Sequence, residues 1–278
     1  MSLDTRAFFV VSSGRSGTAM LHKALSASDD VEMHHEYMVH IVQPLAIRRY
    51  MRLIDSAEAK RVIENTHAAS VYYSEKRHWG DSSNKLAWLI PELTELFPDA
   101  RFVHLVRDGR KVASSYFHKL GDECYDDRSS KLLRAYAEDP SHVAAPPPEK
   151  KYWWPQPVAG MPFAEEFQHF DQFQRIAWHW CEINRVILQS LARLESRTWQ
   201  TIRLEDLRRS PDALRALYDF LNLPYQDENF SMFAKPHNVN RPEDRLLDAT
   251  QRMQFEIIAG AMMEQLGYAA REEYVVNY

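Results

Sequence analysis

The chain predicts an α/β domain of three layers, with helices on both faces of a central parallel sheet, and three stretches carry that reading. Phe8 to Ser12 form an apolar run that turns through Gly14-Arg15-Ser16-Gly17-Thr18 straight into a helical pattern. Arg101-Phe-Val-His-Leu-Val106 is a second apolar run, which ends at Arg107-Asp108-Gly109 and gives way to another helical pattern. Thr198 to Leu204 alternate as a third strand, and Pro211 opens a helix shortly after. Strands separated by helices pair in parallel and bury both faces of the sheet.

The remaining elements follow from periodicity and punctuation. A helical stretch is expected over Ile41 to Asn65, within a segment rich in His, Tyr and Arg. Pro91 opens a short helix that leads to the strand at 101. Residues 121–163 lose periodicity and collect Gly121, Asp126, Asp127, a run of three prolines from Pro146 and the tetrapeptide Tyr152-Trp153-Trp154-Pro155, so they are expected to be an irregular insertion. From 164 to 195, Phe167, Phe170, Phe173, Ile176, Trp180, Ile183, Ile187 and Leu191 recur at helical spacing, an aromatic stripe of the kind that faces a core. A last helix is expected from about Asp248 to Leu266, stopped by Gly267.

Bulk composition sets the class. A chain of 278 residues with 45% hydrophobic content can bury one large core, so residues 1–278 are expected to form a single domain. Its 34 Lys and Arg against 39 Asp and Glu leave a net charge of −5, which argues against nucleic acid or an anionic membrane as partner, and any anion site must be local. Two cysteines, Cys124 and Cys181, form no metal-binding or disulfide pattern, which fits a reducing compartment. No apolar run is long enough to span a bilayer and no leader pattern opens the sequence, so a cytoplasmic location is expected.

The turn at 14–18 is where chemistry concentrates. Two glycines let backbone approach an anion closely, the helix start offers unpaired N–H groups, Arg15 adds a fork of donors, and Ser16 and Thr18 add hydroxyls, with Ala19 following in the first helical turn. The ligand expected of such a P-loop-like turn is a phosphate or sulfate ester. A Walker loop would place four residues between its glycines and follow with lysine, whereas only two residues separate Gly14 from Gly17 and no lysine follows. Asp108 after the second strand is expected to cap its helix rather than hold a metal. Arg107 and Ser115 can face a second phosphate if the residues between them wind two turns of helix.

With both loops in place, the chain resembles the sulfotransferases that depend on 3′-phosphoadenosine 5′-phosphosulfate (PAPS). In that family a strand-loop-helix of the form Arg/Lys-Ser-Gly-Thr binds the 5′-phosphosulfate, and a later Arg-Asp/Asn-Pro-Arg/Lys with a serine downstream binds the 3′-phosphate. The resemblance extends to Phe97-Pro-Asp-Ala-Arg-Phe-Val-His-Leu-Val-Arg-Asp108, to Leu204-Glu-Asp-Leu207 and to Leu266-Gly-Tyr268, and so covers nearly the whole chain. It implies that Gly14, Arg15, Ser16, Gly17, Thr18 and Ala19 hold the 5′-phosphosulfate. Arg15 would also neutralise the bridging oxygen as its bond to sulfur breaks, and Arg107 and Ser115 would hold the 3′-phosphate. The family's late basic loop would fall near Lys235 to Arg241, although Lys-Pro-His-Asn-Val-Asn-Arg departs from its usual form. Gly109 stands where the family commonly has proline. A family lysine expected near Asp81-Ser82-Ser83 is missing until Lys85.

Sulfuryl transfer needs an acceptor oxygen in line with the leaving phosphate, positive groups around the sulfuryl group and a base for the acceptor proton; the scheme requires no metal. Glu32, His34, His35, Glu36 and His40 cluster within ten residues. Glu36 is the first choice for the base, since shelter among Tyr37, Met38 and Val39 would raise its proton affinity toward neutrality, and His35 is the rival. A role confined to capping a helix is the structural alternative for this cluster. Trp153 and Trp154, with His34, are candidates for contacting the acceptor as a lid or stacking surface, and pinning the insert to the core is the equal alternative. The activity expected is transfer of a sulfuryl group from PAPS, leaving adenosine 3′,5′-bisphosphate, to a hydroxyl or amine of a small-molecule or glycan acceptor. The alternatives are a phosphotransferase using ATP and magnesium, and a nucleotide-binding module without catalysis.

Overall fold

The computed structural model describes residues 5–234 and 246–268. The expected positions Lys235 and Arg241 therefore lie outside the described residues. Chain order begins with β1 (Arg6–Ser12), α1 (Thr18–Leu25), β2 (Val31–His35), α2 (Val39–Tyr50), α3 (Ser56–Ile63) and α4 (Ala69–Tyr73), a π-turn over Glu64–Ala68 joining the last two. It continues with β3 (His78–Ser82), α5 (Ile90–Leu96), β4 (Arg101–Val106), α6 (Gly109–Lys119), α7 (Asp127–Glu138), α8 (Gln172–Leu191) and β5 (Trp199–Arg203). Four helices close it: α9 (Leu204–Arg209), α10 (Pro211–Leu221), α11 (Asp227–Ala234) and α12 (Ala249–Gln265).

All five strands are parallel, in the order β2-β3-β1-β4-β5. β1 is central, and its alternation divides the core. Phe8 and Val10 pack with α1, α9, α10 and α11 through Leu21, Leu25, Leu207, Leu214, Leu217 and Phe233. Phe9 and Val11 face the other way, onto Trp79, Leu86, Leu93 and Ile183. A third cluster locks α6, α8 and α12 together around Val112, Trp180, Phe255 and Met263. A strand buried on both faces has no polar side to spare, which is why β1 reads as an unbroken apolar run. Removing a ring as central as Phe9 would cost about 3–5 kcal/mol. Both α8 and α12 open on capping boxes, Asp171 with Gln174 and Asp248 with Gln251, so their starts are fixed by local chemistry.

Three expectations are corrected. The helical stretch over 41–65 is two helices, because Arg52 takes a left-handed conformation and Asp55 caps a new start by accepting the Glu58 N–H. β2 and β3 were not foreseen; Val-Glu-Met-His-His alternates over only four residues and His-Trp-Gly-Asp-Ser lacks apolar alternation, and yet β3 is buried along its whole length. The 121–163 segment contains a twelve-residue helix, α7, whose cap is Asp126, a residue that reads as loop punctuation when seen alone.

Candidate functional site

Every strand sends a loop to the carboxyl edge of the sheet, and the neighbours of β1 diverge there, β3 to one side and β4 to the other. Open α/β sheets bind ligands in the crevice at such a switch point.

The loop after β1 is a left-handed turn. Gly14, Arg15 and Gly17 have φ values of 76°, 53° and 89°. A Cβ on Gly14 would lie 2.0 Å from the Tyr116 hydroxyl, and that hydroxyl donates to the Ser13 carbonyl at 2.9 Å. On Gly17, which directly precedes α1, a Cβ would lie 2.6 Å from Leu204. The turn is thus braced by α6 and α9, and glycine is required by contact as well as by φ. Ser16 is fully buried, and its hydroxyl donates to the Gly14 carbonyl at 2.9 Å while lying 3.0 Å from the Ser13 hydroxyl. The side chain of Ser16 therefore braces the turn. Thr18 and Ala19 open α1, where the first N–H groups have no helical acceptor.

The two expected anion loops meet on Arg15. Arg107 donates from Nη1 to the Arg15 carbonyl at 2.9 Å, and Arg15 donates from Nε to the Ser115 hydroxyl at 3.0 Å. Ser115 is in the second turn of α6, as the spacing required. Neither guanidinium has a carboxylate partner among the described residues, whereas Arg110 beside them is paired with Asp108 at 2.7 Å. Asp108 caps α6 by accepting the Arg110 N–H, as expected. Glu205 accepts the Asp108 N–H at 3.1 Å and the Tyr268 hydroxyl at 2.9 Å, so the Leu204 to Leu207 and Leu266 to Tyr268 segments support the loops from behind. A Cβ on Gly109 would meet Trp180 and Phe255 at 2.6 Å, which explains the departure from proline there.

On the other side of β1 lies a group of charges. Lys85, buried behind the loop after β3, donates to the Glu36 carboxylate at 2.7 Å and to the Asn84 side-chain oxygen at 2.6 Å. Lys150 from the insert donates to the other oxygen of Glu36. Burial pushes the Glu36 carboxyl up, but Lys85 and Lys150 outweigh it and lower it from 4.5 to about 2. The expectation that its proton affinity is raised toward neutrality is overturned: Tyr37, Met38 and Val39 do not shelter it from these two cations. Burial pushes the Lys85 ammonium down, and Glu36 opposes it.

His35 ends β2 in register with Ser82. Its Nδ1 lies 2.9 Å from the Ser82 carbonyl, which can only accept, so Nδ1 carries a proton and the neutral ring leaves Nε2 as the acceptor. The His22 ring lies 5.8 Å away, and burial lowers its pKa.

The other expected acceptor contacts are placed differently. Trp153 and Trp154 are 3% and 9% exposed, and their indole N–H groups donate to the carbonyls of Pro147 and Glu123. They pin the insert to the core, so they form no exposed lid. Trp154 still bears on the site, edge-on to Tyr116 at 5.5 Å. The His34 ring is drawn to Glu32 at 3.0 Å and lies 5.0 Å from Trp79. Lys150, Tyr116 and Asp81 were missed; Lys150 has no motif around it, whereas Tyr116 directly follows Ser115 and a helical projection places it beside the turn. No group of metal-ligating side chains able to hold an ion occurs among the described residues, and no described helix is long and apolar enough to cross a membrane.

A family model described as the sulfotransferase family matches residues 7–145. No protein of curated function matches the chain in sequence. Among solved structures, the sulfotransferase domain from the curacin biosynthetic pathway is similar at 16% identity and a TM-score of 0.52, with 94% of this chain and 98% of that one covered. A sulfotransferase from Alicyclobacillus acidocaldarius and the sulfotransferase domain of the Synechococcus PCC 7002 olefin synthase are each similar at 15% identity and a TM-score of 0.51, covering 94% of this chain and 95% of theirs. At these identities the structural likeness speaks for the fold.

Proposed function

Because this chain belongs to the sulfotransferase family, and is thereby an enzyme of sulfuryl transfer, we propose that its donor is PAPS and its acceptor a hydroxyl or amine of a small molecule or glycan. The observation that carries the donor assignment is the junction of Arg107, Arg15 and Ser115. Two half-buried guanidiniums, without carboxylate partners among the described residues, converge at a left-handed backbone turn at a helix start. Unpaired cations gathered there are matched by a ligand with phosphates at both ends. A side chain at Gly14 would run into the Tyr116 hydroxyl that braces the turn, and the first N–H groups of α1, at Thr18 and Ala19, would be the donors offered to a phosphate.

When bound, the donor supplies a sulfuryl group on a phosphate leaving group. The turn at 14–19 would hold the 5′ end through backbone N–H groups and Arg15, and Arg107 with Ser115 would hold the 3′-phosphate. Arg15 and Lys85 would neutralise charge as the acceptor oxygen bonds to sulfur and the bond from sulfur to the phosphate oxygen breaks. His35 Nε2 would take the acceptor proton, since its other nitrogen is already committed to Ser82. Glu36 is assigned as the counter-ion of Lys85, because a carboxyl lowered to about 2 is a weak base at neutral pH. The test is calorimetric titration with adenosine 3′,5′-bisphosphate, adenosine 5′-monophosphate and ATP with magnesium, each repeated with chelator. Tight, chelator-insensitive binding of the bisphosphate supports the reading, and preference for magnesium ATP overturns it.

A further inference from the structure

Between β2 and α2 the backbone turns at Glu36 and Met38 with φ values of 55° and 48°, both left-handed and neither a glycine. Two such residues flanking one position persist only where surroundings over-determine them, and the residue between is Tyr37. Its N–H donates to Asp81 Oδ1 at 3.3 Å. Its ring is caged by His34 at 4.7 Å, His67 at 5.3 Å and Trp79 at 5.5 Å. The turn is therefore anchored at its middle, while its two ends carry His35 and Glu36 on one side and the start of α2 on the other.

Asp81 is fully buried, one residue before the Ser82 that holds His35. Its second oxygen, Oδ2, lies 3.5 Å from Nε2 of His67, which is itself fully buried. Neither atom has a hydrogen-bond partner among the described residues. The Thr66 hydroxyl donates to the Val62 carbonyl at 2.9 Å, so it can only accept from His67 Nδ1, 3.1 Å away. His67 sits on the π-turn at Glu64–Ala68, a local widening of the helix that is often found at functional sites.

We propose that the buried pair of His67 and Asp81 is the positioning device of the site: His67 fixes Asp81, Asp81 holds the Tyr37 N–H, and the turn so held sets His35 against Ser82 and Glu36 against Lys85. His67 and Asp81 are positioning residues, acting through Tyr37 on the groups that would meet substrate. The inference deepens the assignment of His35 as the base and rests on it. It requires His67 to be protonated on both ring nitrogens, Nδ1 toward Thr66 and Nε2 toward Asp81.

Two readouts test it, one of them independent of turnover. In the wild-type protein labelled with nitrogen-15 at histidine, long-range proton–nitrogen correlation is expected to show His67 protonated at both ring nitrogens and His35 at Nδ1; a bare His67 Nε2 overturns the proposal. For turnover, His67→Phe keeps an aromatic ring among Tyr37 and Trp79 but removes the donor, and its kcat for sulfuryl transfer is expected to fall at least tenfold. Affinity for adenosine 3′,5′-bisphosphate should stay within threefold of wild type, because the anion loops follow β1 and β4, whereas His67 and Asp81 lie on and beside β3. His67→Gln, which restores an N–H toward Asp81, should recover kcat to within threefold of wild type. A His67→Phe enzyme as fast as wild type overturns the proposal. If that variant does not fold, the histidine spectrum of the wild type decides alone, and absence of transfer by the wild type counts against the proposed activity and leaves that spectrum to judge the pair.

Discussion

Replacing Arg107 with alanine separates the two ends of the nucleotide. Among the described residues, Arg107 makes one hydrogen bond, from Nη1 to the Arg15 carbonyl at 2.9 Å, and its guanidinium has no carboxylate partner. Losing the hydrogen bond from this half-buried guanidinium to the Arg15 carbonyl costs about 1 kcal/mol, which every nucleotide entering the turn would feel. A hydrogen bond from a guanidinium to a phosphate contributes about 1.5–3 kcal/mol, and only a 3′-phosphate would lose it. At about 1.4 kcal/mol per tenfold, Arg107→Ala should weaken adenosine 5′-monophosphate about fivefold, and adenosine 3′,5′-bisphosphate by about ten- to a hundredfold more than that. Calorimetric titration of both nucleotides against wild type and variant reads the difference directly. Equal weakening of the two would show that Arg107 serves only to brace Arg15, and would remove it from the 3′-phosphate site.

Other perturbations test separate parts of the site. Gly14→Ala must take a φ of 76° and push its methyl to 2.0 Å from the Tyr116 hydroxyl, so bisphosphate binding should be lost in a protein that remains folded by circular dichroism. His35→Ala should slow sulfuryl transfer about a hundredfold or more with bisphosphate affinity unchanged; a normal rate would end its assignment as base. Glu36→Gln leaves Lys85 buried without its counter-charge and should destabilise the protein by about 3 kcal/mol at pH 7, measured by urea unfolding. Because the folded-state pKa of Glu36 lies below the value of 4.5 expected when unfolded, its stabilisation is fully present above pH 4.5. It is lost as pH falls toward about 2, so the deficit of Glu36→Gln should shrink across that window and stay constant above it.

Three strands, β1, β4 and β5, and the turns after β1 and β4 were legible because they obey local rules. β1 and β4 are apolar runs that end in a turn with an obvious change of composition, and the spacing from Arg107 to Ser115 already measured two helical turns. β2 and β3 were illegible for a physical reason: His35 and Asp81 are polar residues in strands, tolerated there because groups distant in sequence face them, Ser82 for His35, and Tyr37 and His67 for Asp81. The shelter expected around Glu36 failed similarly. Its apolar neighbours in sequence are visible, but the cations that set its charge come from positions 49 and 114 residues away. Local pattern reports what a residue is beside in the chain, and a titratable group responds to what is beside it in space.

Gly109 shows how a departure in sequence is absorbed in volume. With no Cβ at the first residue of α6, Trp180 of α8 and Phe255 of α12 close to within 2.6 Å of where that atom would stand. Three elements far apart in the chain have thus traded one small residue for two large rings, at the point where α6 leaves the strand that delivers Arg107. Grafting the relatives' proline onto position 109 alone would drive its ring into Trp180 and tilt the helix that carries Ser115. The same proline introduced together with smaller residues at 180 and 255 would be accommodated. Loop sequences in this fold can therefore be exchanged between relatives only along with the side chains that line the far side of the helix they begin.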